Sequence, residues 1–264
     1  MAFSLDKIFT TRTALPAGCG PIEIEPCAAL KPYIRCFWTY ARTDSGVPVR
    51  IIPDCCADII IDLDRRNAVF VDTGFNSFFA RSAGAVFGIR FYAWAVSRFS
   101  RADGARGSVD PEQLFDGFSD FRDRIVGSKT VYERIDSAQS YLTGILDERC
   151  DGDVMNCLYG MIKNNGNVSV SALASDVAVS RRTLERKFLR IGIAARSIAR
   201  LIRYQLLWQE CLKSDFSALD CVEKFGYYDQ AHMYNDFRAF HGLNPVEARK
   251  EYWSLSHFYN TRSL

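Results

Sequence analysis

The sequence predicts an α+β chain of two domains: an antiparallel β-rich domain, small and barrel-like, with helices after it, and then an all-α domain. Three observations predict this. Short runs rich in Val, Ile, Phe, Tyr and Trp recur up to residue 93, with Gly, Pro, Asp or Asn between them. Beyond that point apolar residues recur at three- and four-residue spacing. The polar cluster NNGN at 164–167 then interrupts the helical pattern. At 264 residues the chain is long for one compact domain and comfortable for two.

The strand candidates are YIRCFWTYA (33–41), VRIIP (49–53), CADIIIDL (56–63), AVFVDT (68–73) and GAVFGIRFYA (84–93). The third and fourth flank the polar turn DRRN and read as a hairpin. Asp110 followed by Pro111 is a helix-start signal. SDFRDRIV (119–126) and residues 129–148 follow as helices. In the latter, Val131, Ile135, Ala138, Leu142 and Ile145 form one apolar stripe. That stripe fits packing against the sheet and a dimer seam equally well. VMNCLYGMIKN (154–164) continues the helical reading.

After residue 166 everything reads helical, near 169–178, 180–190, 195–213, 217–225, 229–240 and 245–252. Gly192, Gly226, Gly242 and Pro245 are the stop signals. The predicted division is a β-rich sensor or regulatory domain over 1–110, a helical extension with a dimerisation option over 111–164, an all-helical domain over 165–253, and a tail over 254–264.

Net charge is +2, which by itself says little about partners. Its distribution says more. Residues 180–203 carry eight Arg and Lys against the single Glu185. Such a concentration is the electrostatic footprint of a polyanion partner. Nine cysteines stand at 19, 27, 36, 55, 56, 150, 157, 211 and 221. The odd number and the absence of CxxC pairs argue for reduced, buried thiols and against a disulfide framework or structural zinc. Asp6 and Lys7 fall where a signal peptide needs its apolar core, and no apolar run is long enough to span a bilayer. A cytoplasmic chain with no membrane span, no cofactor, no metal site and no catalytic residue is the expectation.

The all-helical part holds two similar units. In the first, Leu173, Ala174 and Val177 form a short stripe, and Ala178-Val179-Ser180 breaks it. Ser180 suits the cap of the next helix, because its hydroxyl can accept from an orphaned N–H. Leu184 and Phe188 repeat at i, i+4 and face inward, which leaves Arg181, Arg182, Glu185 and Arg186 outside. Two short helices with a tight turn, the second basic outside and apolar inside, make a helix-turn-helix. About 49 residues later Leu219, Val222 and Phe225 precede Gly226, Asp229 stands at a cap position, and Met233, Phe237 and Phe240 form the inner stripe. Gln230, His232, Tyr234, Asn235 and Arg238 remain for an outer face. Amides suit adenine edges and Arg suits guanine.

Leu173, Ala174, Ser180, Arg182, Leu184, Arg186 and Phe188, then Gly226, Tyr227, Asp229, Phe237, Gly242 and Pro245, resemble the ordered motif set of the AraC/XylS family of bacterial transcription regulators. The resemblance covers residues 166–252. It implies a double helix-turn-helix that places recognition helices in successive major grooves of duplex DNA. Carried over by position, Arg182, Glu185 and Arg186 read the first groove, and Gln230, His232 and Asn235 read the second. Ser180 and Arg181 lie on the same DNA-facing side. Cys221-Val222 replaces the family's Ile-Ala, Met233 a Phe, Ala195 a Pro and Asn235 a DNA-contacting Arg.

The N-terminal part resembles a sensor-like domain found ahead of such units, through Pro53-Asp54 and Gly88, Arg90 and Phe91. Cys55 stands where that pattern has Gly. The resemblance leaves Asp54 and Arg90 as a buried charge pair or as the lining of a ligand pocket. The implied partners are double-stranded DNA, a small-molecule effector of open identity, a second copy of the chain, and RNA polymerase. Two rivals stay open. One is a methyl acceptor of the Ada type using Cys55 or Cys56. The other is a ligand-independent regulator acting through a protein partner.

Overall fold

The computed structural model describes residues 21–42, 49–72, 74, 77–80, 84–101, 107–147 and 152–260. The first twenty residues, Cys19, Cys150 and the last four residues lie outside that set. Strands are β1 (Ile22–Ile24), β2 (Ile34–Arg42), β3 (Val49–Ile51), β4 (Cys56–Asp62), β5 (Asn67–Asp72), β6 (Phe78–Ala80), β7 (Gly84–Tyr92) and β8 (Gly107–Val109). Six of them form an antiparallel sheet in the order β1-β2-β7-β4-β5-β8, while β3 and β6 pair separately. The predicted hairpin is β4–β5, closed where Asp62 accepts from the backbone N–H groups of Asp64 and Arg65. All five strand candidates of the sequence form. The three-residue strands β1, β6 and β8 were not foreseen.

Alternation along the strands puts Phe37, Ile59, Ile61, Phe70, Phe87, Ile89 and Phe91 on one buried face. Helices α1 (Phe118–Gly127) and α2 (Val131–Ile145) cover it. Asp110 caps as expected, but only a single 3₁₀ turn follows, over Pro111–Gln113. Thr130 and Glu133 close a capping box at the start of α2. Of the stripe that admitted two readings, Ile135, Ala138 and Leu142 pack into this core.

The remaining helices are α3 (Gly152–Lys163), α4 (Val170–Asp176), α5 (Arg181–Arg190), α6 (Ala195–Cys211), α7 (Ala218–Lys224), α8 (Gln230–His241) and α9 (Pro245–Asn260). Helix α9 runs well into the segment read as a tail. Helix α3, read as part of the extension, packs with the C-terminal helices through Val154, Cys157, Leu158 and Met161. The same apolar cluster takes in Ile52, Cys55, Cys56, Tyr92, Trp94 and Ala95 from one end of the sheet. The two halves therefore share a core. No helix among the described residues is long and apolar enough to cross a membrane.

Two motif residues have plain physical roles in this sheet. Gly88 lies opposite Trp38, and a Cβ at Gly88 would run into the indole. Cys55, standing where the sensor-like pattern has glycine, takes up φ 59° with its side chain buried. A left-handed backbone costs a non-glycine residue about 1–2 kcal/mol. Cys55→Ala keeps that strain and loses the thiol's packing, whereas Cys55→Gly relieves it. Thermal unfolding should rank Cys55→Gly above Cys55→Ala by about 1 kcal/mol. The reverse order would show that the backbone there is unstrained.

Candidate nucleic-acid interface

Each recognition helix starts at a side-chain cap. In the first unit Ala178 turns the chain at φ 54°, and the Ser180 hydroxyl accepts from Thr183 N–H at 3.1 Å. Leu184 and Phe188 are buried against Leu173 and Ala174. Ser180, Arg181, Arg182 and Arg186 are exposed, so the cap and the basic residues lie outside as the spacing requires. Arg182 and Arg186 make no hydrogen bond or ion pair with the described residues. Glu185 is held by Arg181 at 2.8 Å, not by its other neighbour Arg182. Lys187 turns toward α3 and pairs with Asp153 at 2.9 Å.

In the second unit Ser217 caps α7, and Gly226 turns the chain at φ 64°. The side-chain amide of Asn167 occupies the space a Cβ at Gly226 would need. Asp229 caps α8 by accepting from His232 N–H at 2.7 Å. Met233, Phe237 and Phe240 are buried, and Gln230, His232 and Asn235 are exposed on the other side. The His232 ring stands edge-on to Tyr227 at 5.3 Å, and its Nδ1 accepts from Tyr228 N–H at 3.5 Å. Helix α6 joins the units with 17 residues, about 26 Å of axis.

Two exposed residues beside these faces escaped the sequence reading. Tyr228 is 91% exposed just before the Asp229 cap. It lies outside the helix, so helical spacing does not point to it. Leu189 is 67% exposed and follows Arg182, Glu185 and Arg186 along one face of α5. An apolar residue three positions after Arg186 was the available signal.

In the N-terminal half Asp54 and Arg90 do meet, at 3.6 Å. The stronger partner is Asp58, which stands directly across from Arg90 in register and takes its Nε and Nη2 at 3.0 Å each. Trp38 Nε1 donates to the same carboxylate at 2.8 Å. Strand register alone brings Asp58 to Arg90, which is why the linear sequence did not single it out. Burial holds the Asp54 carboxyl above the usual range, against the pull of Arg90. Burial likewise pushes the Cys55 and Cys56 thiols up, with the nearby Asp54 adding to it. Methyl-acceptor chemistry needs a thiolate, and these surroundings disfavour one. Among the described residues no group of three or more His, Cys, Asp and Glu could hold a metal ion.

Compared with known proteins, residues 173–251 match the family profile described as a helix-turn-helix domain. They are a helix-turn-helix domain of the AraC type. This AraC-type domain makes the chain a DNA-binding transcription regulator. Ahead of it, residues 22–106 match a domain of unknown function, DUF6597. No curated protein matches the chain. Among solved structures, a DNA-binding transcriptional dual regulator from Escherichia coli K-12 is 16% identical, covering 41% of this chain and 98% of its own, with a TM-score of 0.37. The C-terminal domain of AraT, a response regulator from Geobacillus stearothermophilus, is 20% identical over 39% of this chain and 88% of its own, TM-score 0.36. ToxT from Vibrio cholerae is 9% identical over 81% of this chain and 97% of its own, TM-score 0.40.

The far end of α8 meets the β-rich half. Gly242 ends the helix at φ 83°, and the carbonyl of His241 accepts from Arg50 Nη1 at 3.2 Å and Ser77 Oγ at 2.9 Å. The His241 ring is buried between Phe237 and Trp208, with Nδ1 at 2.9 Å from the Tyr204 hydroxyl. Burial, and secondarily Arg50, hold this imidazole down at about 3. In the unfolded chain it titrates near about 6.5. Its contribution is therefore whole above about pH 6.5 and is lost as pH falls toward about 3, at roughly 1.4 kcal/mol per pH unit. Urea unfolding between pH 7 and 4.5 should show a shallower pH slope for His241→Phe than for the wild type. Equal slopes would mean that His241 takes up its proton over the same pH range folded and unfolded.

Proposed function

We propose that α5 and α8 enter successive major grooves on one face of duplex DNA, with α6 holding their spacing. The observation that carries this reading is the pair of exposed arginines, Arg182 and Arg186, without partners among the described residues, on the outer face of a capped helix-turn-helix. Ser180, Arg181, Arg182, Glu185 and Arg186 serve the first groove. Gln230, His232 and Asn235 serve the second. Arginine makes paired bonds to guanine, and the amides of Gln230 and Asn235 suit adenine. The Arg181–Glu185 pair fits Arg181 to the phosphate backbone and Glu185 to orienting it. Phosphate contacts position a protein and base contacts specify the site.

The β-rich domain sets how α8 and α6 are held, and this is the route for regulation in the cytoplasm. Arg50 grips Glu251 of α9 through two bonds of 2.8 and 3.1 Å and caps the end of α8. Gln205 of α6 donates to the Pro53 carbonyl at 2.5 Å. Asp54, next in sequence, faces Arg90 on the sheet. A small effector at Asp54 and Arg90, a second copy of the chain, or RNA polymerase acting on this domain would bias DNA engagement by favouring one arrangement of that contact.

Selection of DNA from a random pool with the full-length protein should yield two half-sites about 34 Å apart, one helical turn. Arg186→Ala should weaken the selected site by about 1–3 kcal/mol and relax one base position. Equal weakening on every sequence would assign Arg186 to phosphate, and no selected site at low salt would overturn the reading. Arg50→Ala should weaken operator binding by about 1 kcal/mol, the low end of couplings between distant sites. Unchanged binding would make this interface purely architectural.

A further inference from the structure

Helix α8 buries a charge on its inner face. Asp236 lies between Met233, Phe237 and Phe240, and its side chain is 7% exposed. A buried carboxylate is costly unless paired and hydrogen-bonded, so packing alone would favour an apolar residue there. Both its oxygens are used. Oδ1 accepts from Arg200 Nε at 2.9 Å and Nη2 at 2.5 Å. Oδ2 accepts from the Tyr227 hydroxyl at 3.1 Å.

These partners stand on different elements. Arg200 belongs to α6, and its guanidinium also lies over the Phe240 ring at 5.2 Å. Tyr227 belongs to the turn between α7 and α8, and Arg203 of α6 lies over its ring at 5.1 Å. One carboxylate thus ties the joining helix, the turn and the recognition helix. Apolar packing is non-directional and tolerates a helix rolling about its axis. Hydrogen bonds lose strength steeply with angle and do not. Asp236 follows Asn235 directly and lies one turn beyond His232, the two groove-facing residues whose aim such a roll would spoil. The first unit has a counterpart at the equivalent position. Lys187 stands immediately before Phe188 as Asp236 does before Phe237, and it reaches α3 through Asp153.

We propose that Asp236, through Arg200 and Tyr227, is the positioning residue that sets the roll of α8 and hence the specificity of the half-site α8 reads. This rests on the reading of α8 as a groove-inserted helix. Asp236 itself touches no DNA.

The test uses the full-length wild type, Asp236→Asn, Arg200→Gln and Tyr227→Phe in the random-pool selection, with thermal unfolding of each. Arg186→Ala marks which half-site belongs to α5. The expected result is loss of about tenfold in base discrimination at the α8 half-site for Asp236→Asn and Arg200→Gln. Tyr227→Phe should lose less, and the α5 half-site should keep its preference in all three. A lower unfolding midpoint with both half-sites losing preference together would show a merely structural role and overturn the proposal. Wild-type preference at both half-sites would overturn it too. If Asp236→Asn gives no cooperative unfolding, Arg200→Gln decides, because Arg200 is 43% exposed. A wild type that selects no DNA sinks the groove reading together with this one. A wild type that selects DNA alongside variants with unchanged preference sinks this one alone.

Discussion

The helical half hangs on α6. Ten of its seventeen residues are buried, among them Leu201, Ile202, Tyr204, Leu207 and Trp208. A helix apolar on so much of its circumference must be enclosed, and the elements that enclose it are the working ones. Helix α8 lies on it through Tyr204 and Trp208 against Phe237, and α9 through Tyr252 against Trp208. The sheet end reaches it through Gln205 and the Pro53 carbonyl. Helix α8 is therefore not a free arm, and the β-rich half touches the same rod that holds it.

The two helices are unequal in chemistry. The exposed face of α5 carries Arg181, Arg182, Arg186 and Arg190, whereas α8 offers Gln230, His232 and Asn235 with Arg238 toward its end. Arginine contacts release counterions and weaken with salt, while amide and imidazole contacts carry little of that dependence. The first unit accordingly carries more of the salt-dependent attraction to DNA, beside the base reading proposed for Arg182 and Arg186.

Much of this was legible in the sequence because local chemistry and local spacing carry it. Ser180 and Asp229 announced their caps, Leu184 with Phe188 split α5 into two sides, and Asp64 to Asn67 read as a turn. What escaped depends on contacts made at long range. Asp58 meets Arg90 only once β4 and β7 align, and Asp236 meets Arg200 only once α8 lies on α6. Lys187 meets Asp153 only once α3 comes to rest beside it. The strands β1, β6 and β8 hold three residues each, too few to show alternation. Cys55 was visible as a departure from glycine, and its left-handed backbone gives that departure a physical cost.

The core shared between the halves limits how such a protein can be rearranged. Ile52, Cys55, Cys56, Tyr92, Trp94 and Ala95 belong to the same apolar cluster as the helices, so a cut at Asn164–Asn167 divides a core and not a tether. Grafting these helices behind another regulator's front half would leave a greasy scar unless the new partner supplied the matching surface. Descent with this interface intact would couple the two halves' histories, each substitution at residues 52–56 being judged by the helices they lean on.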